Sequence, residues 1–387
     1  MKIKDLVLKE IKGFWGEEPA ENEKGIPVIK TNNLTYEGVI NYSDLCYRSI
    51  DVNKVKDNFL IKGDLLIEKS GGTKTHSVGY VSYFDGTDNT YVCNNFILGL
   101  RINENIVRPK YIFYILKYMY ENGYFAHCYK QTTGIQNLKK DLYLDFDIQV
   151  PDFQTQDNII NILDKITAST TKDQQKLKKY DDLVKSQFIE MFGDPDLSQQ
   201  KESWDELENV GEIVGGSTPK TSIKEYWDGD LNWFTPAEIK ENDFIVNQSE
   251  RKITELGAKS CSLRKMPINT VILSSRAPIG KVALAGCEFY CNQGFKNIVC
   301  NENLNPTFLL MLLKYNNEYL NSLGRGATFK EISKTIVSKI KIPTPPIELQ
   351  NQLADFVKHI DKLKFTIKQS IEKLELCYKS LMKQYFD

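Results

Sequence analysis

The sequence predicts an α+β protein of two β-rich mixed globular domains in pseudo-repeat, each followed by a long helix, with the two helices paired against each other. Three observations carry that prediction. The chain has 387 residues, enough for two or three domains at roughly 150 residues apiece. It repeats itself at an offset of 194 residues, almost half its length. Each half closes on a helical stretch with apolar residues at heptad spacing, longer than its own globular part can cover.

The repeat is clearest in those helices. LKKYDDLVKSQFIEMF (177–192) lies without gaps on IEKLELCYKSLMKQYF (371–386), matching Lys179 with Lys373 and Phe192 with Phe386, and upstream Pro151 and Gln156 meet Pro345 and Gln350. Further back, landmarks keep their order across gaps: the run DLLI from Asp64 with TVIL from Thr270, Val78 and Gly79 with Ile279 and Gly280, and YVCNNF (91–96) with FYCNQGF (289–295). Pro109 and Pro306 then open a helix in each half, as proline does at a first helical turn. A short β-like run ending in proline leads to each long helix. The chain thus divides into 1–150, 151–200, 201–344 and 345–387 as first globular domain, first helical region, second globular domain and final helix.

In the final helix Leu353, Ile360, Ile367, Leu374 and Leu381 recur every seven residues, with Phe356, Val357, Leu363, Ile371 and Tyr378 alongside, a coiled-coil seam of about five heptads. In the first helix Ile159, Ile162, Leu163 and Ile166 start a similar stripe. The segment from Ser169 to Lys176 turns polar, and Leu177, Tyr180, Leu183, Val184 and Phe188 resume it. One such stripe alone would read as an ordinary core helix; two at matching places in a duplication favour pairing within the chain. Ile159, Ile166, Leu177 and Tyr180 join the five heptad residues of the final helix as seam positions, structural rather than ligand-binding.

Charge is balanced, 50 Lys+Arg against 51 Asp+Glu, which excludes binding by global attraction to nucleic acid or anionic membrane. The N-terminus lacks a signal-peptide apolar run and no stretch approaches the ~18 apolar residues of a membrane span, so a cytoplasmic location and no membrane partner are expected. The eight cysteines include no CxxC pair; Cys287 and Cys291 come nearest, and they read as reduced thiols rather than metal ligands. SGGTKTHS (70–77) does not fit GxxxxGK[ST], and GxSxG, HExxH and GxGxxG are absent. The sequence from Thr344 to Ile347 lacks the amide or acid and the aromatic of an adenine methyltransferase loop. No catalytic residue, metal or cofactor is expected in the chain itself.

The balance hides blocks. Residues 201–250 hold 4 Lys+Arg against 12 Asp+Glu, a net of −8, and residues 251–342 hold 14 against 5, a net of +9. Residues 101–140 carry a net of +5. Beside these charges lie turn-like polar runs, KQTTGIQN (130–137) and RGATFK (325–330). Lysine and arginine anchor phosphates, and Arg, Asn and Gln contact base edges, so two loop-bearing units suit the reading of two separated DNA half-sites.

At this point the residues resemble the specificity subunit of type I restriction-modification systems over essentially the whole chain. GGSTPKTSIKEYWDGDLNWFTPAEI (215–239), RKITELGAKS (251–260), VILSSRAPIGKVAL (271–284), CNQGFKNI (291–298), GATFKEIS (326–333) and IPTPPIELQNQLADFV (342–357) are similar to that family's target-recognition pattern in its order, and KSQFIEMFGDP (185–195) to the close of its central conserved region. The first half is more divergent: it lacks the GGxTP opening, and HSVGY (76–80) only loosely echoes APIGK.

The resemblance implies two target-recognition domains with antiparallel helices as spacer, each domain reading half of a split target in double-stranded DNA. It implies docking of two copies of a methyltransferase subunit that uses S-adenosylmethionine, and of a motor and nuclease subunit that uses ATP and Mg, while the specificity subunit catalyses nothing. The 34 residues from 353 to 386 would extend about 50 Å as helix, roughly 15 base pairs, an upper scale for the gap between half-sites. DNA-binding candidates are Lys69, Lys74, Lys130, Gln131, Gln136 and Lys139 in the first half, and Thr218, Lys220, Arg276, Lys281, Gln293, Lys296, Arg325, Thr328 and Lys330 in the second. Two rivals stay open: a subunit serving a methyltransferase alone, and a coiled-coil scaffold that binds no DNA, which a salt-dependent gel shift separates.

Overall fold

Runs of leucine and β-branched residues set one sheet in each half. A computed structural model describes residues 1–21, 24–73, 76–132, 134–194, 196–240, 243–324 and 330–387, without the side chains of Gln131 and Thr132. Leu65–Glu68 is buried along its whole length and lies antiparallel between Val81–Tyr83 and Ile97–Ile102, with Val7–Ile11 on the far side of the latter. Its side chains alternate between two cores. Leu65 and Ile67 meet the helix Pro109–Glu121, and Leu66 meets Ile29, Leu60 and Phe84. Cover on both faces explains why the strand reads as an unbroken apolar run.

The second half repeats this order. Val271–Leu273 lies between Val282–Ala285 and Lys296–Cys300, with Gly211–Gly215 beyond, and Ile245–Val246 adds an edge strand. Val271 and Leu273 face the helix Pro306–Tyr315, and Ile272 faces the opposite core. A smaller sheet is duplicated too: Ile26–Ile29 runs parallel to Val92–Cys93 and antiparallel to Cys46–Arg48, as Trp227–Phe234 does with Tyr290–Cys291 and Lys252–Ile253.

The chain divides into two compact units, Met1–Lys172 with Ile371–Asp387, and Asp173–Ser370. The division falls inside two 40-residue helices, Phe153–Phe192 and Ile347–Phe386. In the first unit, Ile159 and Leu163 share a core with Met382, and the Phe386 ring packs edge-on against Tyr111 at 5.6 Å. In the second, Val184 and Phe188 share a core with Leu353, Val357 and Ile360, and Phe188 stacks on Phe308 at 5.5 Å. There Lys364 pairs with Asp181 at 2.5 Å and Ser370 Oγ donates to Asp173 Oδ2 at 3.1 Å. Numbers rise along one helix as they fall along the other, so the two are antiparallel. The end of each long helix therefore packs on the globular part built by the other repeat.

The seam follows the heptads. Leu353 and Ile360 are buried, and Ile367, Leu374 and Leu381 are half-buried; in the first helix Ile159 is buried, and Ile166, Leu177 and Tyr180 are half-buried, with Thr170 and Asp173 at the intervening positions. Ile162, Leu183 and Leu363, expected in or beside the stripes, are exposed: each stands three residues after a seam position, and the helices instead turn the next residue inward, burying Leu163 and Val184 and half-burying Lys364. No helix among the described residues is long and apolar enough to cross a membrane.

The two glutamines aligned by the repeat do the same thing. Gln156 Oε1 accepts from Arg108 N at 2.8 Å while its Nε2 donates to Pro151 O at 2.7 Å. Gln350 Oε1 accepts from Asn305 N at 2.8 Å while its Nε2 donates to Pro345 O at 2.7 Å and Asn303 O at 3.1 Å. Each fastens the start of a long helix to the N-cap of the proline-opened helix beside it. That fixes the helix against its sheet.

Candidate nucleic-acid interface

Each unit builds the same backbone crossing where its central strand ends. Lys69 N donates to Phe96 O at 2.7 Å, Leu138 N donates to Lys69 O at 2.8 Å, and Gly79 N donates to Glu68 O at 3.0 Å. In the other unit Ser275 N donates to Gly294 O at 2.8 Å, Ile332 N to Ser275 O at 2.9 Å and Gly280 N to Ser274 O at 3.0 Å. Gly79 and Gly280 hold φ of +103° and +85°, backbone that side-chain-bearing residues rarely adopt. The aligned glycines thus mark one turn.

In the first unit a hairpin of Tyr129–Thr132 and Ile135–Leu138 lies on this crossing, flanked by Ser70–Gly71. It brings together Lys69, Lys130, Gln131, Gln136 and Lys139; Lys130 and Lys139 are exposed and Lys69 is half-buried. None of the three lysines forms an ion pair with a described residue. Gln131 is placed by its backbone in the hairpin. Gln136 turns inward, its Oε1 accepting from Val78 N at 3.0 Å, so that acceptor serves the fold. Tyr36 stacks on His76 at 3.7 Å beside the hairpin. Beneath it Glu68 is 7% exposed, and burial raises its carboxyl above the usual range against the pull of the Gly72 N–H. Lys74 lies outside the described residues.

In the second unit the candidates fall into groups with different partners. Arg276 Nε donates to Glu331 Oε2 at 2.9 Å, and Lys296, 9% exposed, donates to Glu331 Oε1 and to Ser275 Oγ, each at 3.2 Å. Burial alone would raise the Glu331 carboxyl, but hydrogen bonds from Arg276 and Lys296 hold it below its usual range. Lys281 Nζ donates to Pro236 O at 3.3 Å. Thr218 Oγ1 donates to Gln293 Oε1 at 2.7 Å. Lys220 and Lys330 are exposed and without an ion pair to a described residue. Arg325 and Thr328 lie outside the described residues.

Two features were not legible in the sequence. The first unit does have a counterpart of the GGxTP opening: Phe14 N donates to Cys93 O at 2.7 Å as Ser217 N donates to Cys291 O at 3.0 Å. A Cβ on Gly13 would collide with the Asn94 carbonyl, and one on Gly216 with the Cys291 carbonyl. One glycine carries the requirement, and Trp15 stands where Thr218 does. The second is a tryptophan pair. Trp233 Nε1 donates to Ser217 O at 3.1 Å and Trp227 Nε1 to Lys220 O at 3.3 Å, so the two indoles hold the loop that presents Thr218 and Lys220. Among the described residues no group of three or more His, Cys, Asp or Glu side chains could hold a metal ion.

Residues 1–179 and 201–376 match the family described as type I restriction modification DNA specificity domain. The type I restriction enzyme MjaIX specificity subunit of Methanocaldococcus jannaschii is 37% identical over 209 residues, 53% of this chain and 48% of that protein. The putative MjaX specificity subunit of the same organism is 24% identical over an alignment of 401 residues, 98% of this chain and 91% of that protein. The chain thus matches about half the length of the first relative and nearly all of the second. The crystal structure of the type I restriction-modification S subunit from M. genitalium shares the fold, with a TM-score of 0.63 at 16% identity, covering 100% of this chain and 95% of that one. The chain belongs to the type I restriction-modification DNA specificity family and carries its domain in both halves.

Proposed function

We propose that the chain reads a bipartite target in double-stranded DNA, one half-site per repeat, and directs partner subunits to it. The partners are two copies of a methyltransferase subunit, which supplies S-adenosylmethionine chemistry on adenine, and a motor and nuclease subunit that consumes ATP with Mg. The chain contributes recognition and no catalysis. The observation that carries this reading is the crossing repeated in both units, together with exposed lysines that form no ion pair with a described residue in each, Lys130 and Lys139 in the first and Lys220 and Lys330 in the second. Lysines at such a rim grip phosphate, and the polar groups between them meet base edges. The 40-residue helices would extend about 60 Å, roughly 18 base pairs, which suits an unread gap between the two half-sites.

Selection of the full chain, produced together with its methyltransferase, on randomised duplex DNA tests the proposal. Two conserved blocks separated by a fixed number of unread positions are expected, with affinity falling steeply as salt rises. Selection of a single uninterrupted block, or of no sequence, would overturn it.

A further inference from the structure

Six of the seven arginines in the chain are described, and five of them face a carboxylate: Arg48 faces Glu18, Arg101 Asp64, Arg108 Asp157, Arg264 Glu212 and Arg276 Glu331. Arg251 is the exception. It is exposed and forms no ion pair with a described residue. Its guanidinium lies 3.9 Å from the centre of the Trp227 ring and 5.5 Å from that of Trp233, and the two indoles meet edge to face at 5.0 Å. Its backbone is fixed as well, since its carbonyl accepts from Trp233 N at 3.3 Å and from Ser249 Oγ at 2.5 Å.

The same two indoles hold the loop carrying Thr218 and Lys220 through their N–H groups, and Thr218 in turn engages Gln293. The tryptophan pair therefore gathers Arg251, Lys220, Thr218 and Gln293 into one patch of the second unit. A guanidinium over an aromatic face keeps its N–H edge free in the ring plane and loses little freedom on forming a bidentate contact. The acceptor pair that such an edge fits in DNA is guanine O6 and N7 in the major groove.

We propose that Arg251 is a base-reading residue of the second unit and specifies a guanine in the half-site that this unit recognises. The inference rests on the proposed function, of which it names one determinant. An alternative role for a free arginine is a bidentate grip on phosphate, whose oxygens the same fork fits. The two roles separate in the selection, since loss of a phosphate contact weakens binding to all sequences alike and loss of a base contact relaxes one position.

The test is selection on randomised duplex DNA by the full chain with its methyltransferase, for the unaltered protein, Arg251→Lys and Arg251→Ala, with melting curves to establish that the variants fold. Both variants are expected to lose preference for guanine at one position of one half-site, on the order of ten- to a hundredfold. The other half-site should be unchanged. A lysine variant that keeps the guanine preference, a uniform loss of affinity across all sequences, or unchanged selection by both variants would each overturn the proposal. If the alanine variant melts early, the lysine variant, which retains the cation over the rings, decides alone. Absence of any selected sequence with the unaltered protein would instead refute the proposed function, and that outcome is read before either variant is measured.

Discussion

Replacing Gln350 with leucine tests whether the duplicated glutamine fastens the second long helix to its unit. The side chain is fully buried and makes three hydrogen bonds, accepting from Asn305 N and donating to Pro345 O and Asn303 O. Leucine fills nearly the same volume and makes none. A buried N–H left without a partner costs about 1–3 kcal/mol, and each lost bond to a carbonyl about 1 kcal/mol. The added apolar burial returns about 1 kcal/mol, so the net loss is about 3 kcal/mol. For a unit of the size of Asp173–Ser370 this lowers its melting temperature by roughly 6–12 °C. Calorimetry at neutral pH is the assay. Gln350→Glu adds a check of sign. Burial and the two facing carbonyls should raise the folded-state pKa of the new carboxyl above its unfolded value near ~4.3, so its stability is fully present below that pH and is lost as pH rises, at about 1.4 kcal/mol per unit. A leucine variant melting within about 1 °C of the unaltered protein would refute the reasoning.

Other consequences follow from the same geometry. Phe188→Ala removes a ring that is 1% exposed and stacked on Phe308, and should cost about 3–5 kcal/mol in the second unit, read by urea unfolding. Lys314 is pushed down to about 8, first by burial and then by the charge of Lys364. The unfolded chain therefore binds more protons between pH 8 and 10.5, so stability should rise with pH across that window, and Lys314→Met should flatten the rise. Inserting seven residues into both long helices at matching seam positions would lengthen them by about 10 Å and should widen the unread gap by about 3 base pairs without altering either half-site, as selection on randomised DNA would report.

Much of this architecture is legible in the sequence where one residue type satisfies one backbone or packing demand. The heptads appear because a seam needs an apolar side chain every three or four residues, and Gln156 and Gln350 align because each answers the same buried backbone groups. The interface is less legible, because its partners are distant along the chain. Nothing local to Arg276 or Lys296 announces that both share Glu331, or that Gln136 spends its acceptor on Val78. The opening of the first unit escapes a motif search because the fold demands only the absence of a Cβ at Gly13, leaving the neighbours free to become Phe14 and Trp15. Arg251 reads as one more surface charge until strand pairing brings it over Trp227 and Trp233.

The central claim is that each repeat reads one half of a split target. Its most direct test is an N6-methyladenine methylome of cells carrying the gene and of cells in which residues 201–344 are exchanged for the corresponding segment of another member of the family. Methylation should move to a motif that keeps one half and changes the other. A motif with both halves altered, or with both retained, would contradict the account.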